Sequence, residues 1–245
     1  MSSMKPHHPK RSHMVLRTVA QFAVYTRRTA SKITLFALLA LGPLAASAGD
    51  LSVVVVDTAG KGVPDTVVTV APLEVKTTPP SRSPATAVMD QLQLAFVPRV
   101  LVVTVGTTVE FPNSDSVSHQ VYSFSPAKKF QLPLYKGQLH APVVFDHEGL
   151  VVLGCNIHDQ MVGYIYVTPA PYFGKTDASG ALHLPDLKAG DYRLIAWSPL
   201  IADSASTLER MVHIDTTETH AEKIQLKQSL RPRPEPRPHR GDWEY

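Results

Sequence analysis

The sequence predicts an all-β protein built from β-sandwiches. Short runs rich in valine, isoleucine and aromatic residues recur along the chain, and clusters of glycine, proline, aspartate and serine separate them. No segment shows the apolar period of a helix over a useful length. Short strands with turn signals at this spacing are typical of β-sandwiches. The length of 245 residues leaves room for one large or two small domains.

Each predicted strand is an apolar or alternating run bounded by turn residues. Residues 51–57 form the first strand, residues 58–62 (Thr-Ala-Gly-Lys-Gly) form a turn, and residues 63–70 alternate behind it. Two proline-containing stretches, 77–84 and 168–171, predict connectors between domains. The remaining predicted strands cover residues 100–105, 109–111, 143–145, 149–154, 164–167, 182–184, 192–197, 210–214 and 221–226.

The N-terminal segment has the pattern of a secretory signal peptide. Residues 5–32 carry seven basic residues and no acidic one, an apolar run follows at 33–44, and small residues end at Ala48. We therefore expect a signal peptide over residues 1–48 that is cleaved after Ala48. The alternative, a membrane anchor, is disfavoured because the apolar run is too short to span a bilayer. The mature protein is predicted to be periplasmic or secreted, with no transmembrane anchor.

Export changes the charge balance of the chain. Seven of the 24 basic residues leave with the signal peptide, so 17 remain against 21 acidic residues, a net charge of about −4. This balance gives no support for binding to nucleic acid or to anionic lipid. At the other end, residues 228–245 contain alternating arginine and proline and predict a disordered, polyproline-type tail.

The chemistry-bearing residues cluster around the single cysteine of the chain. Cys155, His158 and Met161 are each separated from the next by two residues. A thiolate, imidazoles in a trigonal set and a weak axial methionine are the ligands of a blue-copper centre. The set lacks a second imidazole, for which His119 is the best candidate. The sequence therefore predicts one copper ion bound by His119, Cys155, His158 and Met161.

Other interpretations of this cluster remain open. A lone thiol in an exported protein is liable to oxidation unless it is buried or bound. His140 and His147 also precede the cysteine, but they follow less strand-like sequence and are expected to be solvated. Tetrahedral zinc would leave Met161 without a role. A Cys–His nucleophilic pair lacks any accompanying oxyanion or orienting motif.

Residues 84–168 resemble a cupredoxin of the plastocyanin and amicyanin type. Residues 100–113 match the strand–Gly–strand approach to the first histidine ligand, and residues 155–167 match the second ligand loop and the final strand. The short spacing from Cys155 to Met161 is similar to that of amicyanin. The resemblance implies a Greek-key β-sandwich with one type 1 copper. The wider chain, at 121–128 and 154–158, also resembles proteins labelled methylamine utilisation proteins, a label that names a pathway and no reaction.

One position departs from the cupredoxin pattern. Many cupredoxins carry an asparagine directly after the first histidine, and it ties the two ligand segments together. This chain has Gln120 there, and Asn113 is a candidate to take over that role.

The flanking segments resemble a carboxypeptidase regulatory-like β-sandwich, of the small Ig or transthyretin type. Residues 50–70 are similar to its opening hairpin, and its later motifs occur only at 175–180 and 187–194. We hypothesise a discontinuous sandwich, residues 50–75 with 172–227, that carries the cupredoxin as an insertion. The alternative is two domains in series, with residues 50–75 pairing onto the cupredoxin.

These features favour a non-enzymatic periplasmic electron carrier that exchanges one electron with redox protein partners as donor and acceptor. The alternative is copper binding for storage, delivery or sensing. Such sites are often methionine-rich, whereas only Met89 and Met161 lie within residues 84–168.

Overall fold

The computed structural model describes residues 48–74, 85–137, 140–201, 207–215, 219–227 and 230–232. Apart from Ala48, the predicted signal peptide lies outside these residues, so its cleavage remains a prediction. The predicted connector at 77–84 and most of the predicted tail at 228–245 also lie outside them.

The described residues form seventeen β-strands and no helix, which confirms the predicted all-β class. None of these segments is therefore a helix that could cross a membrane. The strands are β1 (Ala48–Val56), β2 (Val67–Pro72), β3 (Thr86–Val88), β4 (Asp90–Leu92), β5 (Ala95–Val97), β6 (Val100–Thr104), β7 (Thr107–Glu110), β8 (Tyr122–Ser125), β9 (Lys128–Gln131), β10 (Val143–Phe145), β11 (Gly149–Gly154), β12 (Val162–Thr168), β13 (Tyr172–Lys175), β14 (Ala181–Lys188), β15 (Gly190–Trp197), β16 (Leu208–Ile214) and β17 (His220–Gln225).

The described residues between 85 and 168 form a β-sandwich that we call the central sandwich. One sheet has the strand order β10-β7-β3, the other has β6-β12-β11-β8-β9, and β4 pairs with β5 in a two-stranded sheet. Alternate residues of the strands point between the sheets and form a core. Its buried members are Met89, Phe96, Val103, Val109, Phe111, Val121, Tyr135, Phe145, Val151, Leu153, Cys155, Met161, Ile165 and Val167.

A second body, which we call the flanking sandwich, is formed by described residues of 48–74 and 172–226. Its two sheets have the orders β14-β1-β17 and β13-β2-β15-β16. Val53 pairs with Leu182 on one side and with Glu222 on the other, so β1 lies between two strands from the C-terminal part of the chain. The flanking sandwich has its own buried cluster, which includes Leu51, Val68, Leu194 and Ile224.

Trp197 links the two sandwiches. Its side chain is 2 % exposed and shares a buried cluster with Val67 of β2 and Val100 of β6. The rings of Tyr164 and Tyr166, both on β12, lie 5.5 and 5.6 Å from the Trp197 ring. Aromatic packing of this kind contributes beyond simple burial of area, so Trp197 helps to stabilise the contact.

Each predicted strand overlaps an observed strand, but the predicted start of the second strand is wrong. The second strand begins at Val67 and not at residue 63, because Pro64 has no N–H to donate and Asp65 has a left-handed backbone with φ of 53°. Six short strands escaped prediction: β3, β4, β5, β8, β9 and β13.

Candidate metal centre

The predicted ligands lie at one end of the central sandwich because of how three strands pair. Cys155 directly follows β11, and His158 lies in the loop that joins β11 to β12. That loop closes a hairpin, since Gly154 pairs with Val162. His119 lies shortly before β8, whose Tyr122 pairs with the same Gly154. Two segments distant in sequence are thereby brought to one place.

Three of the four predicted ligand atoms form a close triangle. His119 Nδ1 lies 3.1 Å from His158 Nδ1, and Cys155 Sγ lies 3.9 Å from the first nitrogen and 3.6 Å from the second. His119 and Cys155 are buried and His158 is half-buried. Among the described residues, this is the one group of histidine, cysteine and carboxylate side chains whose donor atoms converge in this way.

The dimensions of the triangle suit a single metal ion. Bonds of about 2.0–2.1 Å to nitrogen and about 2.3 Å to sulfur place ligand atoms about 3–4 Å apart, as observed here. One soft sulfur with two imidazoles is a donor set for copper or zinc. The choice between these metals depends on Met161.

Met161 is 1 % exposed and belongs to the same buried cluster as Cys155. Its backbone N–H donates to the carbonyl of His158 at 2.8 Å, which tightens the turn between the two residues. A buried thioether at this position suits the weak axial site of copper, and tetrahedral zinc has no use for it. The role of Met161 as a ligand stays a prediction.

Asp115 lies directly behind His119, and sequence reasoning missed it. Its Oδ2 lies 3.0 Å from His119 Nε2, and the two side chains are 5 % and 0 % exposed. The same oxygen accepts the N–H of Leu94 at 2.8 Å. A carboxylate behind a histidine fixes the tautomer and the ring orientation, so that Nδ1 of His119 faces His158 and Cys155. The four-residue separation from His119 is too weak a sequence signal to single out a carboxylate in a Ser-Asp-Ser turn.

The loop that carries His119 is held by an inner set of polar contacts. Asn113 accepts the N–H of Asp115 and donates to the carbonyls of Val117 and Tyr135 at 3.0 and 2.8 Å. The backbones of Tyr135 and His119 exchange two hydrogen bonds of 2.9 Å. Asn113 thus braces the first ligand segment internally.

The hydrogen bonds of Asn113 do not reach Cys155, so the contact between the two ligand segments comes from another residue. The backbone N–H of Gln120 donates to the sulfur of Cys155, so the missing asparagine is replaced by a main-chain contact. A second backbone donor to this sulfur, from Ile157, comes from within the cysteine's own loop.

The other two histidines considered from the sequence lie outside the triangle. The ring of His140 packs edge-on against Tyr135 with centroids 4.5 Å apart. The side chain of His147 is 74 % exposed and lies 3.2 Å from Asp146. Neither reaches the group formed by Cys155 and its neighbours.

The environment of Cys155 favours the thiolate. Burial by itself would raise the pKa of this thiol, but hydrogen bonds from His119, from two backbone N–H groups and from His158 outweigh burial and lower the pKa to about 6. The pKa of His119 is raised, because its contacts with Cys155 and Asp115 outweigh the opposing effect of burial.

We predict that the metal-free protein forms the Cys155 thiolate near pH 6. A lowered pKa means that this thiol favours folding fully above the ordinary thiol pKa near 9 and loses that contribution as the pH falls toward 6. Thiolate absorbance in the ultraviolet, followed against pH, measures the midpoint. Cys155→Ser supplies the blank, and a midpoint near 9 would contradict the prediction.

We predict that Asp115→Asn weakens copper binding by about 10- to 100-fold, because the amide no longer holds His119 by a charged hydrogen bond. Competition with a chelator of known affinity measures the change. Asp146→Asn is the matched control, since this carboxylate is exposed and pairs with Lys128 at 2.9 Å. Equal affinities of the two variants would show that Asp115 does not position the ligand.

Comparisons with solved structures find partial likenesses. The chain is similar to a purple cupredoxin from Nitrosopumilus maritimus, with 28 % identity over 34 % of this chain and 99 % of that one, at a TM-score of 0.30. It is similar to a copper-containing nitrite reductase from Thermus scotoductus SA-01, with 28 % identity over 40 % of this chain and 25 % of that one, at a TM-score of 0.32. A reduced amicyanin mutant is 19 % identical over 41 % of this chain and 99 % of that one, at a TM-score of 0.32. No protein-family model and no curated protein matches this chain.

Proposed function

We propose that this protein is an exported mononuclear type 1 copper protein that carries one electron between periplasmic redox proteins. The observation that supports this most directly is the buried triangle of one thiolate sulfur and two imidazole nitrogens. The buried methionine that ends the same loop supports copper over zinc.

In this proposal, Cys155 supplies the strong thiolate bond, His119 and His158 supply nitrogens, and Met161 supplies the weak axial contact. Copper bound there would provide one-electron chemistry. The chain holds the ligands in place: Asp115 orients His119, and the paired strands fix the Cys155 loop. Ligands held in place by paired strands rearrange little when the oxidation state changes, which favours fast electron exchange. Four protein donors also leave no open position for a substrate, which supports a non-enzymatic role.

Copper delivery is the second candidate, and one observation favours it. Four residues of the ligand loop are exposed: Asn156, Ile157, Asp159 and Gln160. An exposed loop offers a path by which metal could leave to an acceptor.

Copper titration with visible and paramagnetic resonance spectroscopy tests the proposal and separates the two candidates. A carrier with a type 1 site shows an intense thiolate-to-copper charge-transfer band in the orange-red region with one equivalent of copper(II). A protein that stays colourless and takes up only copper(I) would refute the carrier function and support delivery. A protein that prefers zinc over both forms of copper would refute both.

We also propose that residues 50–75 and 172–227 form one discontinuous domain into which residues 84–168 are inserted. The position of β1 between β14 and β17 supports it, as does the pairing of β2 with both β13 and β15. The flanking sandwich would serve to dock or anchor the copper-binding part.

A further inference from the structure

One face of the five-stranded sheet carries an unusual exposed aromatic surface. Phe124 on β8 is 75 % exposed, the largest exposed fraction among the large apolar side chains of the described residues. Its ring lies 5.2 Å from the ring of Tyr122, and Val152 of β11 is also exposed. We call Tyr122, Phe124, Val152 and the neighbouring Lys129 the aromatic surface.

Strand pairing shows that these side chains share one face. Residues directly opposite each other in a sheet project to the same side. Tyr122 pairs with Gly154, which is two residues from Val152 on β11, and Phe124 pairs with Lys129 of β9. Val152 in turn pairs with Tyr164 of β12.

Part of this face already packs against the flanking sandwich. Tyr164 packs against Trp197 of the flanking sandwich, whereas Tyr122 and Phe124 extend the same apolar face beyond that contact. The aromatic surface is therefore continuous with a packed interface. Aromatic side chains in such positions are typical centres of protein–protein contacts.

The aromatic surface also lies close to the thiolate. A Cβ atom on Gly154 would lie 2.7 Å from Cζ of Tyr122, so the absence of a side chain there lets the Tyr122 ring rest directly on the backbone. Gly154 is the residue before Cys155. In addition, the N–H of Gln120, two residues before Tyr122, donates to the Cys155 sulfur. Two short routes thus join this surface to the metal ligand.

The aromatic surface carries one exposed positive charge, that of Lys129. Lys129 is exposed, and no carboxylate of the described residues lies within ion-pair distance of it. Its neighbour Lys128 is neutralised by Asp146 at 2.9 Å. An unneutralised lysine beside an exposed aromatic side chain complements a partner with acidic residues, and such complementarity speeds encounter.

We propose that the aromatic surface docks a one-electron redox protein that carries acidic residues around its exposed cofactor edge. This inference rests on the proposed carrier function and names the partner chemistry for it. The partner would lose one electron, and a copper(II) ion held by His119, Cys155 and His158 would accept it. No bond is formed or broken, and no proton moves. The electron would enter by way of Tyr122, Gly154 and Cys155.

The docking site is tested by nuclear magnetic resonance with an acidic plant-type [2Fe–2S] ferredoxin as the probe. Oxidised ferredoxin is titrated into isotope-labelled protein, both as isolated and after loading with copper(I). We expect amide signals to shift or broaden around Phe124, Lys129 and Val152. Lys129→Glu should weaken binding about fivefold at low ionic strength, and the charge-matched Lys223→Glu on the flanking sandwich should not.

The docking proposal would be overturned if ferredoxin did not bind. It would also be overturned if ferredoxin shifted the amide signals of residues 156–160 instead of those of the aromatic surface. Equal effects of Lys129→Glu and Lys223→Glu would overturn it as well, since they would show a general charge effect. The spectra of both variants without ferredoxin verify that they fold.

The electron step is tested separately by mixing reduced ferredoxin with the copper(II) protein and following loss of the charge-transfer band. Phe124→Ala should lower the second-order rate constant about fivefold or more, as expected of a central interface residue. Met211→Ala is the matched control, because Met211 is 58 % exposed on the flanking sandwich. Equal rate constants for the two variants would overturn the aromatic surface as the place where the partner transfers its electron. If the copper-loaded protein shows no charge-transfer band, the carrier function is wrong. The amide signals that shift in the ferredoxin titration still decide whether the aromatic surface is a docking site.

Discussion

Cys155→Ser is expected to abolish the thiolate-to-copper band completely. The cysteine sulfur lies 3.6 and 3.9 Å from the two imidazole nitrogens and receives hydrogen bonds that stabilise its charge. A serine hydroxyl is neither soft nor ionised at neutral pH, so it cannot supply the strong equatorial bond. Loss of a supporting residue such as Asp115 lowers copper affinity by about 10- to 100-fold. Loss of Cys155 should lower it further, because the residue is itself a ligand. Visible absorption and a chelator competition measure the two changes.

Two comparisons exclude unfolding or a general disturbance of the core as the cause of the lost band. Circular dichroism of the metal-free variant should match the parent, because serine is close to cysteine in size. Met161→Leu should keep the band but alter its spectrum, whereas Met89→Leu should leave it unchanged, since Met89 is an equally buried methionine of the same core. A band that survives Cys155→Ser would disprove the ligand assignment.

Trp197→Ala should lower the free energy of unfolding by about 3–5 kcal/mol, the usual cost of deleting a large buried aromatic side chain. The indole ring fills the contact between the sandwiches and packs on Tyr164 and Tyr166. Urea unfolding followed by circular dichroism measures the change, because the substitution removes a fluorophore. Phe124→Ala is the control, since truncating an exposed aromatic side chain costs within about 0.5 kcal/mol.

An equal loss of stability in the two variants would contradict this role for Trp197. The copper spectrum should be unaffected by Trp197→Ala. Trp197 packs on the outer face of the sheet, whereas Cys155 lies in the core on the other side.

Strands were easiest to predict from the sequence where buried and exposed side chains alternate along the chain. Residues 149–154 match β11 at both ends because alternate side chains of this strand are buried. Tyr122–Ser125 was not predicted as a strand because it is only four residues long and its most apolar side chain, Phe124, faces solvent. A pattern that depends on burial cannot detect a strand whose large side chain is exposed.

The same limit applies at the candidate metal centre. The spacing of Cys155, His158 and Met161 was visible because the three residues lie on one loop. The placement of His119 could be anticipated from the strand pattern before it. Asp115 and the backbone donor of Gln120 could not, because a carboxylate in a Ser-Asp-Ser stretch has the composition of a solvated turn. Only the folded loop shows that this carboxylate faces the buried imidazole.

The pairing of β2 with β13 has a further consequence. Val70 lies opposite Tyr172, so the chain leaves the flanking sandwich and rejoins it on two adjacent antiparallel strands. A short turn would suffice to reconnect them. Natural recombination or protein engineering could therefore replace the residues between these two strands without disrupting either sheet of the flanking sandwich.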